Sequence, residues 1–328
     1  MSAYQVVGIG NAIVDVISQS NDSFLELMGI QKGIMQLVER DRGELLYGAM
    51  ENRIQTPGGS VANTIAGLGK LGLSTGFIGR VRADGLGNFY AEATADGGTD
   101  FLNPPVASDD LPTSRSMIFV SPDGERSMNT YLGISADLSP DDVPQALVAD
   151  AEILFLEGYL FDAPAGPAIF ARAAALAAEF NCKISLSLSD PWCAERHRDA
   201  LTNFVKDHVD ILFSNENEAS SLCDAPVEQA IPIMMDYVEE TIVTRGPKGA
   251  FAGSAAAQIE AAARPLGEVV DTTGAGDLFA AGYLYGRTNG YSLQDSAMIA
   301  SVAAGEIISH VGARPQTDLR AIGAKTLS

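Results

Sequence analysis

The sequence predicts an α/β protein: a mainly parallel central sheet covered by helices on both faces, with a small β-sheet lid appended to it. Three observations predict this. Short apolar runs alternate with runs of helical spacing along most of the chain, the pattern of β-α units that build a parallel sheet. One strand–turn–strand stretch, 113–120 and 126–131 around Ser121-Pro122-Asp123-Gly124-Glu125, has no helix between its strands. Apolar residues make up 46% and charged residues 19% of the 328. That is enough apolar surface for one large core and too little charge for a disordered chain.

In chain order, residues 4–10 form a short apolar strand. Residues 16–20 and 33–38 are strand-like but fall outside the alternation, so they are assigned with the 113–131 hairpin to the lid. An ordinary edge hairpin is the other reading of that stretch. From Ser60 onward Val61, Ile65, Leu68 and Leu71 recur at helical spacing, and Gly72 supplies the stop. Strand-like and helix-like pieces then alternate over 74–79, 86–96, 153–156, 165–180, 183–188, 195–206, 210–213, 227–238 and 241–244. Residues 278–284 make a last apolar helical run, and with no long linker the chain 1–328 reads as a single domain.

Forty-two acidic against twenty-one basic side chains leave a net charge of −21. Like-charge repulsion argues against nucleic acid or an anionic membrane as partner, although solubility alone also accounts for such a charge. An anionic small-molecule substrate must then be held by local devices such as helix N-termini, metal ions and placed cations. No apolar run reaches the ~18 residues that cross a bilayer. Met1-Ser2-Ala3-Tyr4-Gln5-Val6-Val7 has no basic stretch ahead of its apolar part, so it reads as a first strand and not a signal peptide. The expected location is cytoplasmic. Cys182, Cys193 and Cys223 are odd in number and widely spaced, which fits reduced structural thiols. A monomer or a homodimer is expected.

Asp271-Thr272-Thr273-Gly274-Ala275-Gly276-Asp277 runs straight into the last apolar helix. Gly274, Ala275 and Gly276 therefore sit at a helix N-terminus, where small residues let the backbone approach a ligand and free N–H groups face an anion. Phosphate suits such a place, and Asp277 beside it can take a proton from an attacking hydroxyl. A tight turn with an Asp cap is the plainer reading of the same residues. Pro57-Gly58-Gly59-Ser60-Val61-Ala62-Asn63 is a second glycine-rich turn feeding a helix. Gly58 and Gly59 would bring main chain against a polar ligand and Asn63 would add an amide, unless Ser60 is simply the N-cap and Asn63 an exposed polar residue. Within Gly10-Asn11-Ala12-Ile13-Val14-Asp15, Asp15 is placed just past the first strand, where a carboxylate suits paired sugar hydroxyls; a turn residue is the alternative. Asn215-Glu216-Asn217-Glu218 follows a strand and offers oxygen ligands for Mg²⁺, or else a capping box. Thr244-Arg245-Gly246-Pro247-Lys248-Gly249 ends another strand in a loop suited to nucleotide phosphate or ribose, or in a hairpin turn.

Together these segments resemble the ribokinase-like, phosphofructokinase-B type kinases. The 271–277 stretch is similar to that family's C-terminal signature, and Gly58-Gly59-Ser60-Val61-Ala62-Asn63 with Gly79 and Asp84-Gly85-Leu86-Gly87 to its N-terminal one. The resemblance implies the three-layer ribokinase-like fold and a kinase that uses ATP with Mg²⁺. It makes Asp277 the catalytic base and Gly274, Ala275 and Gly276 the anion hole. It gives Asn11, Asp15, Gly58, Gly59 and Asn63 to the acceptor, and Asn215, Thr244, Gly246, Gly249 and Thr273 to ATP. Glu218 would act on Mg²⁺ through water, and Asp271, with Thr273 and backbone near Ala304 and Gly312, resembles the K⁺ site of some members. Within the family, Asn11 to Asp15, Asp123-Gly124-Glu125-Arg126-Ser127-Met128 and Ser187-Leu188-Ser189-Asp190-Pro191 look most like adenosine kinases. By that likeness Arg126 reaches the transferring phosphate, an exposed arginine being the alternative. Tyr159 would stack on adenine or serve as a core aromatic. The expected acceptor is the 5′-hydroxyl of adenosine. A free sugar such as fructose, ribose or 2-keto-3-deoxygluconate is the second reading, and a non-catalytic nucleotide or sugar sensor the third.

Overall fold

The computed structural model describes residues 4–107 and 110–321; residues 1–3 of the opening segment lie outside them. In chain order the strands are β1 Val6–Ile9, β2 Ile13–Gln19, β3 Met35–Leu37, β4 Ile54–Gly58, β5 Thr75–Ile78, β6 Asp100–Phe101, β7 Ser114–Val120, β8 Arg126–Tyr131, β9 Ile153–Glu157, β10 Lys183–Ser187, β11 Ile211–Asn215, β12 Glu240–Thr244, β13 Ala250–Ser254 and β14 Gln258–Ala261. The larger sheet runs β14-β13-β12-β11-β10-β9-β1-β5-β6, and the smaller β3-β8-β7-β2-β4. From β12 to β6 every neighbour in the larger sheet is parallel, while β13 and β14 add an antiparallel edge.

Strands covered on both faces must be apolar at successive positions, and these are. Val6, Ile153, Phe155, Ile211, Phe213 and Ile242 face one core, which the helices Ser60–Leu71, Ala275–Thr288 and Leu293–Ile307 cover. Val7, Ile9, Leu154, Leu156, Leu212 and Val243 face the other, under Gly166–Phe180, Arg198–His208 and Val227–Met235. The period of two in the strand sends alternate side chains to opposite layers.

Several sequence expectations are corrected here. The run expected as one helix over 195–206 is two, Pro191–Arg196 and Arg198–His208, separated at His197. Asp190 caps the first by accepting from the Cys193 N–H at 2.8 Å, with Pro191 as its first residue, so that helix starts earlier than the apolar periodicity suggests. The smaller sheet has a strand the sequence reading passed over: β4 contains Pro57, which a sheet accepts only at an edge, and β4 is an edge. Asp15 does not lie just past a central strand. It is the third residue of β2, paired across the smaller sheet with Thr56 and Ser116.

Candidate active site

Strand order reverses at β1, which has β5 on one side and β9 on the other. Chain leaving such a switch point diverges and opens a crevice at the strands' carboxyl ends. A cavity of about 640 Å³ lies there, between those ends and the inner face of the smaller sheet, where Ile13, Asp15, Ser116, Met128 and Thr130 line it. From the end of β9 it takes Glu157, from the segments that follow β1, β9 and β10 Asn11, Tyr159, Asp190 and Trp192, and from the two helix starts Gly59, Ser60, Asn63, Thr273 and Asp277.

Asp277 stands in the first turn of the helix Ala275–Thr288, behind Gly274 as N-cap in the left-handed conformation at φ 79°. Its carboxylate accepts from the Ser60 hydroxyl at 2.7 Å and from the Asn63 amide at 2.9 Å. Burial raises its pKa from 3.8 to about 6, against those two bonds and the positive charge of Arg314. Ser60 is thus the first helical residue, not the N-cap, and Asn63 is buried, not exposed.

The paired glycines are a steric requirement. A Cβ on Gly58 would stand 2.6 Å from the Asp15 carboxylate, and one on Gly59, at φ 101°, 2.2 Å from the Asn11 carbonyl. Asp15 itself is buried, and desolvation raises its pKa to about 7 despite the charges of Arg126 and Arg314. Asn11 is held on both sides: its side-chain N–H donates to Glu157 at 2.8 Å and its oxygen accepts from the Ser135 hydroxyl at 2.9 Å.

Asn215 and Glu218 form the capping box: the Asn215 oxygen accepts from the Glu218 N–H, and Glu218 accepts from the Asn215 backbone N–H, each at 2.9 Å. The second Glu218 oxygen takes the Asn215 side-chain N–H at 2.6 Å. Burial raises Glu218 to about 7. Gly249, at φ 93°, turns the chain into β13 where a Cβ would meet the Ala261 carbonyl at 1.9 Å. Thr244 and Gly246 sit with it at the end of β12. These five residues lie outside the 640 Å³ cavity but at the carboxyl ends of the same sheet. Arg126 is not exposed, contrary to one reading of the sequence. Its side chain is 10% accessible and pairs with Asp271.

Three of the residues that escaped the sequence reading hold or polarise the expected ones. Glu157, 1% exposed at the end of β9, accepts from the backbone N–H groups of Asn11 and Val61 at 2.8 and 2.9 Å, and burial lifts it to about 7. Ser135 orients Asn11. Arg314 donates to the Pro57 carbonyl at 3.0 Å and acts electrostatically on both Asp15 and Asp277. None belongs to a glycine-rich motif, although an acidic residue ending an otherwise apolar strand, as Glu157 does, is a usable signal.

A glycine-bearing helix start with a carboxylate in its first turn, at the wall of a cavity, is the layout of a phosphotransferase with an alcohol acceptor. The chain belongs to the pfkB family of carbohydrate kinases, whose family model matches residues 32–319. It has that family's ribokinase-like fold. A "probable sugar kinase protein" from Rhizobium etli CFN 42 is 40% identical, with 99% of both chains covered and a TM-score of 0.92. The adenosine kinase of Sinorhizobium meliloti is 39% identical over 99% of this chain and 100% of its own, also at 0.92. Guanosine-inosine kinase of Escherichia coli K12 is 27% identical over 261 residues, 76% of this chain and 60% of that protein's length. Among the described residues, no helix is long and apolar enough to cross a membrane.

Proposed function

We propose that the protein is an ATP-dependent kinase that transfers the γ-phosphoryl group of Mg-ATP to the 5′-hydroxyl of adenosine, working as one ribokinase-like domain with the smaller sheet as its lid. The observation that carries this is Asp277, held on both oxygens by Ser60 and Asn63 at the wall of the cavity and flanked by the Gly274–Gly276 turn. Asp15 and Asn63 suit the ribose hydroxyls, with Asn11 and the Gly58-Gly59 backbone beside them. Tyr159, Trp192, Met35 and Leu37 offer apolar walls for a planar base. Similarity to an adenosine kinase over the full chain supports the same acceptor.

A Cβ built on Gly276 or Gly246 meets no atom within 4 Å, so both loops leave room for phosphate or ribose against the backbone. Thr273, Thr244, Gly246, Gly249 and Asn215 would border ATP. Glu218, with both oxygens already accepting hydrogen bonds, would bear on Mg²⁺ through water. Bound Mg²⁺ supplies neutralising charge for the phosphate oxygens. Asp277 orients the acceptor hydroxyl and takes its proton as the O–P bond forms and the bond to the ADP oxygen breaks. The amides of Gly274 and Gly276 would hold the charge on the moving phosphoryl group, whereas the Ala275 N–H, expected to join them, is donated to the Thr272 carbonyl at 3.2 Å and Arg126 is paired with Asp271. The closed lid keeps out water as a rival acceptor.

A sugar kinase is the second reading, favoured by the family's carbohydrate acceptors and the Rhizobium etli neighbour. ADP release measured with adenosine, guanosine, ribose, fructose and 2-keto-3-deoxygluconate decides. Adenosine is expected to give the highest kcat/KM. Turnover with a free sugar alone would overturn the acceptor, and tight binding without any turnover would leave a sensor.

A further inference from the structure

We infer that Arg196 is a specificity-determining residue for the acceptor: its guanidinium, held in place by Asp162, donates to the N7 and O6 edge of a purine base, so the nucleosides taken include inosine and guanosine beside adenosine. The inference rests on the nucleoside reading of the cavity and says how far that reading extends. Among the described residues that line the cavity Arg196 is the single cation, against the carboxylates of Asp15, Glu157, Asp162, Asp190 and Asp277. The wall is rich in acceptors and poor in donors. Its two amides already donate, Asn11 to Glu157 and Asn63 to Asp277. The acceptor atoms of a base therefore have their strongest partner at Arg196.

Trp192 and Arg196 lie four residues apart in the helix Pro191–Arg196 and so share one face of it. Both line the cavity. The indole, 66% exposed, offers a flat surface for a ring, and the guanidinium beside it suits the ring's edge. That guanidinium is fixed before any ligand arrives. Its Nε donates to Asp162 Oδ1 at 3.2 Å, and its Nη2 to Oδ1 and Oδ2 at 3.0 and 2.8 Å. His197 Nε2 lies 2.8 Å from the same Oδ1. Among the described residues Nη1 has no partner, so its N–H groups are left for a ligand. The backbone ahead of the helix is also set: Ser189, another wall residue, has φ 74°, in the left-handed region that a non-glycine residue seldom takes, and such strain persists only where the surroundings enforce it. Two adjacent acceptors suit a planar guanidinium best, and N7 with O6 of hypoxanthine or guanine is such a pair. Adenine has an amino group in place of O6. There Arg196 keeps N7, and Asp162 Oδ2, which among the described residues accepts from Arg196 only, takes the amino N–H.

The test is the acceptor profile of Arg196→Met in the full chain, with kcat and KM measured for inosine, guanosine and adenosine and the affinity for each measured by calorimetry. The unsubstituted enzyme is expected to phosphorylate inosine and guanosine, at lower kcat/KM than adenosine. Arg196→Met should lower kcat/KM and affinity by about a hundredfold for inosine and guanosine and by about tenfold or less for adenosine, with the KM for ATP little changed. A loss of equal size for all three nucleosides would make Arg196 a structural residue and overturn the inference. So would an unsubstituted enzyme that neither binds nor phosphorylates inosine. Should Arg196→Met fail to fold, Arg196→Lys keeps a cation beside Asp162 without the planar fork, and the same fall in the inosine-to-adenosine ratio is required of it. Calorimetry reads binding without turnover, so an enzyme that binds nucleosides and phosphorylates none would sink the kinase reading while the inosine affinities still decide Arg196. If 2-keto-3-deoxygluconate alone binds, and Arg196→Met abolishes that binding, the guanidinium reads a carboxylate and the inference is overturned.

Discussion

Asp277 can accept a proton only after losing its own. Its pKa is about 6 because burial outweighs the hydrogen bonds from Ser60 and Asn63. For a base, activity follows the ionised fraction, so acceptor kcat/KM is expected to rise with pH up to about 6 and then level off. The Ser60 bond favours the charged form, so Ser60→Ala should move that limb to higher pH; a limb that stays or moves down would count against Asp277 as the titrating group. Asp277→Asn keeps the shape but cannot take a proton, and kcat should fall by about 10²–10⁴ with the KM for ATP little changed. Near-normal turnover would remove the mechanism. Asp277 was legible because its glycines and its helix are contiguous with it. Glu157 and Arg314 were not, since their partners lie 146 and 257 residues away and only the fold supplies them.

The carboxylate-rich turn at Asn215 has a structural and a chemical reading, and single elements can separate them. The capping box needs the Asn215 oxygen on the Glu218 N–H, so Asn215→Ala should cost about 1 kcal/mol of stability, seen in chemical denaturation. Glu218→Gln keeps an acceptor for the Asn215 backbone but turns its NH₂ toward the Asn215 side-chain N–H, so it should cost about one hydrogen bond of stability, while removing the charge through which Mg²⁺ would be felt. The Mg²⁺ concentration for half-maximal rate should then rise several-fold; an unchanged Mg²⁺ dependence would reduce Glu218 to a helix cap. The start of strand β2, ahead of the 16–20 stretch read as strand, and the whole of its neighbour β4 went unread as strand for a related reason. Asp15 interrupts one apolar run and Pro57-Gly58 another, and both make sense only once the strands pair and face a ligand cavity. The hairpin β7–β8, whose turn residues lie between two β-rich runs, was legible without that help. Periodicity also missed the break at His197, because Asp190 and Pro191 begin their own short helix before the apolar repeat starts.

Across the whole molecule the buried carboxylates act together on stability. Asp15, Glu157 and Glu218 are raised to about 7 and Asp277 to about 6, with desolvation the largest cause in each. In the unfolded chain these groups lose their protons near pH 4, so between that pH and about 7 the folded state holds protons that the unfolded state has released. Stability from this source is complete below the unfolded values and is lost as pH rises through the folded ones. The net charge of −21 works in the same direction, because each further ionisation adds to self-repulsion. The ligand-free protein should therefore melt higher at about pH 5 than at about pH 8, the reverse of a protein whose carboxylates are all salt-bridged. Added salt should narrow the gap by screening repulsion between surface charges, but should leave the part that arises from desolvation. Glu157→Gln separates the two contributions, since the amide cannot ionise: its melting temperature should fall less between those pH values. A melting temperature that rises from pH 5 to 8, or a Glu157→Gln profile parallel to the unsubstituted one, would mean that these carboxylates are ionised in the folded state. Asp277 would then be a base at every pH the protein survives, and the pH limb expected of its kcat/KM would lie below the range in which the enzyme can be assayed.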